Sequence, residues 1–336
     1  MHAFAWAAPV LALVLVGCAT APAPVTTTLP PDFYFTGYHR LKMVGTLELP
    51  PGAGRFPAVL LLPGSGPTDR DGNQPGLQID ILREIADKLK SDGIASLRFD
   101  KRAVRSYAGQ WPHSTGELDD FFSWEALVGD ATAAYDALKA QPEVDPKRLA
   151  ILGHSEGGLL ALEVAKSRQP KALVLVSTAG RDLGTVIEEQ ISQGYSAQFS
   201  TPADLKENIA ETDRIVNVIR KTGKVPADVP FGLASVFPGY LNRYLHSTFT
   251  LNPVDDAKLY TGPTLVVQGQ KDIQVSAERD APRLKAALKN GELYLVPNGT
   301  HCMKTYVGST DPGFSGPVIP AVLSKVSGWL GKKLGA

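Results

Sequence analysis

The chain has 336 residues, 43% of them hydrophobic, which is enough to bury a large core, and 34 basic side chains stand against 34 acidic ones. That balance offers no net field for nucleic acid or an anionic membrane surface, so a small neutral or mixed substrate is the expected partner. Only Cys18 and Cys302 are present, with no Cys-x-x-Cys or His-Glu-x-x-His pattern, which argues against a disulfide framework and signals no structural or catalytic zinc site.

The first residues differ in kind from the rest. Phe4 to Val16 is an apolar run too short to span a bilayer comfortably, and it ends in Leu15-Val16-Gly17-Cys18. This resembles a bacterial lipoprotein signal. It implies cleavage after residue 17, lipidation of Cys18 and export, with the protein anchored to a bacterial membrane on its periplasmic or cell-surface side. No Lys or Arg precedes Cys18, a departure from the positive start of such signals. Residues 18–31, rich in Pro and Thr, read as a tether, and residues 32–336 as the folded body.

Within the body, Asp32 to Leu49 reads as extended segments around Gly37 and Gly45, an antiparallel edge of a sheet. Six short apolar runs follow: Phe56 to Leu62, Ile94 to Phe99, Arg148 to Leu152, Ala172 to Ser177, Thr264 to Gln268 and Glu292 to Val296. Each suits a strand buried on both faces. Helical patterns lie between them, one carried by Leu77, Ile81, Ile85 and Leu89, another by Trp124, Leu127, Ala131, Tyr135 and Leu138 after Ser123 as N-cap. The alternation predicts an α/β fold with a mostly parallel, doubly wound sheet and ligands gathered at the strand C-termini. From about 182 to 250 the pattern is helical and loop-rich, and reads as an inserted helical cap.

The strongest chemical signal is Gly153-His154-Ser155-Glu156-Gly157, between a predicted strand and a predicted helix. A serine on so tight a turn needs glycine neighbours, and this context marks Ser155 as the nucleophile. A serine hydroxyl needs a base, and the histidine belongs in the loop after the last strands. His301 satisfies this; His246, inside the cap, reads as a packed or surface histidine. The acid orienting the base should follow the preceding strand, which selects Asp272 over Asp255, Asp256 and Asp280. The oxyanion formed on attack needs two backbone donors, assigned to Glu156, next to the nucleophile, and Ser65, in Pro63-Gly64-Ser65-Gly66-Pro67 after the first buried strand.

Pro63 to Asn73, Arg98-Phe99-Asp100-Lys101-Arg102 and Gly153 to Gly158 together resemble the serine-aminopeptidase-like, esterase-rich branch of the α/β-hydrolase superfamily. The resemblance runs from about Phe56 to the C-terminus and implies cofactor-free hydrolysis of carboxylic esters through an acyl-enzyme. Ala103-Val104-Arg105-Ser106 stands where the branch usually has a glycine-rich run, which points to a wider or charged entrance. Two other readings use the same residues: an amidase or peptidase of the serine aminopeptidase type, and a lipid-anchored binding protein on a hydrolase scaffold.

Other residues have plainer expected roles. Asp69, Arg70, Asp71 and Asn73, joined by Asp100 and Arg102, should form a structural ion-pair network around the oxyanion loop. Of the cap aromatics Tyr195, Phe199, Phe231, Phe237, Tyr240, Tyr244 and Phe249, most should form cap core and one or two face the site. Cys302 reads as a small packed side chain.

Overall fold

A computed structural model describes residues 31–193, 202–308 and 313–336. Cys18, the signal and nearly all of the tether, and the aromatics Tyr195 and Phe199 lie outside the described residues. Eight strands form one sheet: β1 (Asp32–Thr36), β2 (Lys42–Glu48), β3 (Phe56–Leu62), β4 (Ala95–Phe99), β5 (Val144–His154), β6 (Ala172–Val176), β7 (Pro263–Gly269) and β8 (Asn290–Val296). Their order is β1-β2-β4-β3-β5-β6-β7-β8, with β1 and β2 antiparallel and the rest parallel. The expected antiparallel edge and buried strands are therefore in place, β5 being longer at both ends than its apolar run.

The helices are α1 (Ile81–Ser91), α2 (Thr115–Phe121), α3 (Trp124–Lys139), α4 (Glu156–Arg168), α5 (Leu183–Ser192), α6 (Pro202–Thr222), α7 (Asn242–Thr250), α8 (Pro253–Leu259), α9 (Ala281–Ala287) and α10 (Pro320–Leu334). The strand period of two decides which helices each face meets. Ala58, Leu60 and Leu62 of β3 pack with α3 and α4, while Val59 and Leu61 pack with α1 and α10. A central strand so placed has no polar face, which is why Phe56 to Leu62 reads as unbroken apolar sequence.

Between β6 and β7, α5, α6, α7 and the segment joining the last two build a separate small core from Ile191, Ile215, Val216, Ile219, Phe237, Leu245 and Phe249. Phe231, in contrast to the expectation for most cap aromatics, is 99% exposed. The N-cap read at Ser123 is present, its hydroxyl accepting the Ala126 N–H. The first helix starts later than its periodicity suggests. Asn73 Oδ1 accepts the N–H groups of Ile79 and Asp80, Asp80 sits at φ 56°, and Leu77 is held in a bridge with Gln74. Leu77 is therefore in a turn, and only from Ile81 onward does the backbone become helical.

The expected network around the oxyanion loop forms, with one change. Arg70 makes a two-pronged bond to Asp100 (3.0 and 2.9 Å) and reaches Asp32 and the Gly45 carbonyl, while Asp71 pairs with Arg98. Arg102 does not join. It is fully buried and pairs with Asp130 of α3 at 2.7 Å, because its side chain leaves the loop on the α3 side of the sheet. At the far end of the sheet, Arg148 in β5 donates to the Gly335 carbonyl just after α10 and to the Arg55 carbonyl.

Candidate active site

β5 ends at His154 and α4 begins at Glu156, so Ser155 makes the whole turn between them. It does so at φ 56°, ψ −122°, a conformation that side chains rarely adopt and that costs on the order of 1–3 kcal/mol. Its N–H is held by the Val176 carbonyl at 2.8 Å, and its own carbonyl accepts the Gly158 N–H. The flanking glycines are required by space: a Cβ at 153 would run into the Gly157 backbone, and one at 157 into the Leu62 carbonyl.

His301 lies in the loop after β8 and Asp272 in the loop after β7, and their Nδ1 and Oδ2 atoms are 2.9 Å apart. Asp272 is sequestered from solvent and satisfied four times. Oδ2 meets His301 and accepts from Gln268 Nε2, and Oδ1 accepts the N–H groups of Gln274 and Val275. Burial pushes its carboxyl up, but the charge and hydrogen bond of His301 and the two backbone donors outweigh this and hold it below the usual carboxylate range. An ionised Asp272 only accepts, so the proton of neutral His301 sits on Nδ1 and the Nε2 lone pair is free to act as a base. Among the rejected acids, Asp255 pairs with Lys258, Asp256 with Lys166, and buried Asp280 with Arg181. His246 is held by the Ile219 carbonyl, away from this site.

The sequence reading missed how His301 is anchored. Its backbone carbonyl accepts from Ser177 Oγ at 2.7 Å and faces His154 Nε2 at 3.1 Å. Burial, with His301 nearby, pushes the His154 imidazole down to about 3, so it stays neutral and donates from Nε2. The unfolded chain would protonate it near pH 6.5. Between these values the unfolded state binds a proton that the folded state refuses, so stability is full above about pH 6.5 and falls as pH drops, by about 1.4 kcal/mol per unit from this group. Denaturant midpoints measured from pH 7 to 4 should fall more steeply for the wild type than for His154→Gln; parallel curves would contradict the assignment.

Ser65 and Glu156 both border the cavity that Ser155 and His301 open into. The Ser65 carbonyl is fixed by Thr68 Oγ1 (2.7 Å) and Gln74 Nε2 (2.8 Å). The cavity holds about 330 Å³ and is mostly apolar. One wall is aromatic, with Trp111 edge-on to Phe122 and Phe122 near Tyr240; another comprises Leu183, Val186 and Val275. Tyr240 and Tyr244 are the described cap aromatics that face it, and Ala103 and Arg105 border it where the sequence departs from the glycine-rich pattern. Cys302 is buried, and burial pushes its thiol far up.

The description "Serine aminopeptidase, S33" belongs to the family whose profile matches residues 78–305, more than half of the chain. Esterase EstD of Thermotoga maritima is 27% identical over 293 residues; the match covers 86% of this chain and spans 65% of the Thermotoga protein's length. A Mycobacterium tuberculosis protein described as uncharacterized is 35% identical over 125 residues, 37% of this chain and 41% of its own. Among solved structures, Est1E from Butyrivibrio proteoclasticus superposes with a TM-score of 0.58 at 17% identity, covering 91% of this chain and 99% of that one. An esterase of Pyrococcus furiosus gives 0.56 at 17% identity, covering 93% and 100%. At that level of identity the likeness speaks to fold, and the fold is that of the α/β-hydrolases.

Proposed function

This chain belongs to the serine aminopeptidase S33 family, and on that premise we propose that it is a serine hydrolase cleaving small carboxylic esters, with Ser155, His301 and Asp272 as its triad. The observation carrying this reading is the buried Asp272–His301 pair, bonded at 2.9 Å, with His301 lining the same apolar cavity as a serine on a strained turn. His301 Nε2 takes the Ser155 proton as Oγ attacks the ester carbonyl, and the N–H groups of Ser65 and Glu156 receive the oxyanion. Protonated His301 then passes its proton to the departing alkoxide as the ester C–O bond breaks. Water repeats these steps on the acyl-Ser155 and releases the acid.

Ester cleavage is favoured over aminopeptidase action by the cavity's charges. A peptide's free α-ammonium needs a carboxylate to receive it. Among the described residues lining the cavity the carboxylate is that of Glu156, already bonded to Lys101 and Tyr244. A volume at the low end for small-molecule sites suits a short acyl group. Hydrolysis of p-nitrophenyl esters should therefore peak at short acyl chains and exceed cleavage of matched anilides; anilide cleavage at an equal or greater rate would favour the peptidase reading. Failure of a fluorophosphonate to label Ser155 would favour a non-catalytic scaffold.

The segment Leu15 to Cys18, with the Pro- and Thr-rich stretch after it, supports a further proposal: export, and anchoring to a bacterial membrane through lipid on Cys18. Cys18→Ser should move the protein from the membrane to the soluble fraction, and an unchanged partition would refute the anchor.

A further inference from the structure

One buried cluster beside the nucleophile has no part in proton transfer. Lys101, in the loop after β4, is buried and its Nζ donates to Glu156 Oε1 at 2.6 Å and to the Gly64 carbonyl at 3.0 Å. The other Glu156 oxygen accepts from the hydroxyl of Tyr244, a half-buried residue of α7. Burial, with the Glu156 charge beside it, pushes this phenol well above its usual range, and the Ser65 side chain pulls it the other way. Four separate parts of the chain thus meet: the loop carrying Ser65, the loop after β4, the start of α4, and the inserted helices.

The bond from Lys101 to Gly64 has a geometric consequence. Gly64 C=O and Ser65 N–H belong to one planar trans peptide unit and point in opposite directions. Fixing the carbonyl on Lys101 therefore sets the direction of the Ser65 N–H. Glu156 anchors the ammonium from the second donor's own residue, and Tyr244 anchors Glu156. A buried ion pair is a poor way to gain stability compared with apolar packing, so orientation accounts for it better.

We propose that Lys101 is a positioning residue that aims the Ser65 N–H into the oxyanion hole, held in place by Glu156 and Tyr244, so that the hole is fully formed only when α7 is seated. This rests on the ester-hydrolase reading. Its test uses the full chain with p-nitrophenyl acetate. Lys101→Met should lower kcat about 100-fold with KM changed less than about threefold, the signature of a lost oxyanion donor. Tyr244→Phe, which keeps the ring, should lower kcat about tenfold.

Lys101→Met leaves Glu156 buried without its cation, so the double variant Lys101→Met/Glu156→Gln is the control for misfolding. It should regain the wild-type melting temperature but not its kcat. Recovery of both would reduce the cluster to charge neutralisation and overturn the proposal, as would a folded Lys101→Met with wild-type kcat. The rate of Ser155 phosphonylation by a fluorophosphonate separates this from the substrate question. If the wild type is labelled but turns over no ester, the ester reading fails, and slower labelling of Lys101→Met still supports the aiming role; equal labelling rates overturn it.

Discussion

Ser155→Ala is expected to lower kcat on a short p-nitrophenyl ester by on the order of 10⁶-fold, with the fold unchanged. The two halves of that expectation have separate causes. Activity is lost because the bond-forming oxygen is gone, leaving only binding and the oxyanion donors to assist water. Stability is kept because the Ser155 hydroxyl makes no capping bond to α4, while the strained φ of 56° is set by glycine neighbours and backbone bonds that alanine leaves in place. A steady-state assay beside a thermal melt reads both. A variant melting like the wild type and turning over at a comparable rate would remove Ser155 from the mechanism.

Asp272→Asn is expected to lose about 10⁴-fold in kcat, through a change of one proton's position. The amide fits the same space, and its oxygen can still accept from Gln274 and Val275. Its nitrogen then occupies the Oδ2 position, facing His301 Nδ1 and Gln268 Nε2. Donor meets donor at Gln268, and at His301 the bond survives only if Nδ1 gives up its proton and accepts. The proton then sits on Nε2, where the base must be bare, so Ser155 cannot be deprotonated. Loss of kcat with little change in melting temperature is the expected result; near-wild-type turnover would show that another group orients His301.

How much of this was legible depended on whether the signal was local. The apolar run at Phe56–Leu62 and the Gly153–Gly157 turn follow from neighbouring residues, and both stand where the sequence puts them. Ser155, His301 and Asp272 could be ranked because each follows a strand in a fixed order; the structure pairs His301 with Asp272 and sets Ser155 and His301 along one cavity. The anchors of the site were not legible. Ser177 and His154 hold a backbone carbonyl more than a hundred residues away, and Lys101, Glu156 and Tyr244 meet from three distant elements. The same limit misled the helix reading at Leu77. Its fourfold spacing with Ile81 is genuine, but the Asn73 side chain takes the backbone N–H groups a helix there would need, and no periodicity records that competition.

The bond from Arg148 to the Gly335 carbonyl places the end of α10 beside the start of the central parallel strands, while Ser155 stands at their finish. Six residue steps along the strand lead from Leu149 to Ser155, a span of roughly 20 Å. A solid support, fluorescent label or fusion partner joined after α10 would therefore sit at the pole opposite the cavity mouth. Protein immobilised that way should present its entrance outward and keep its turnover.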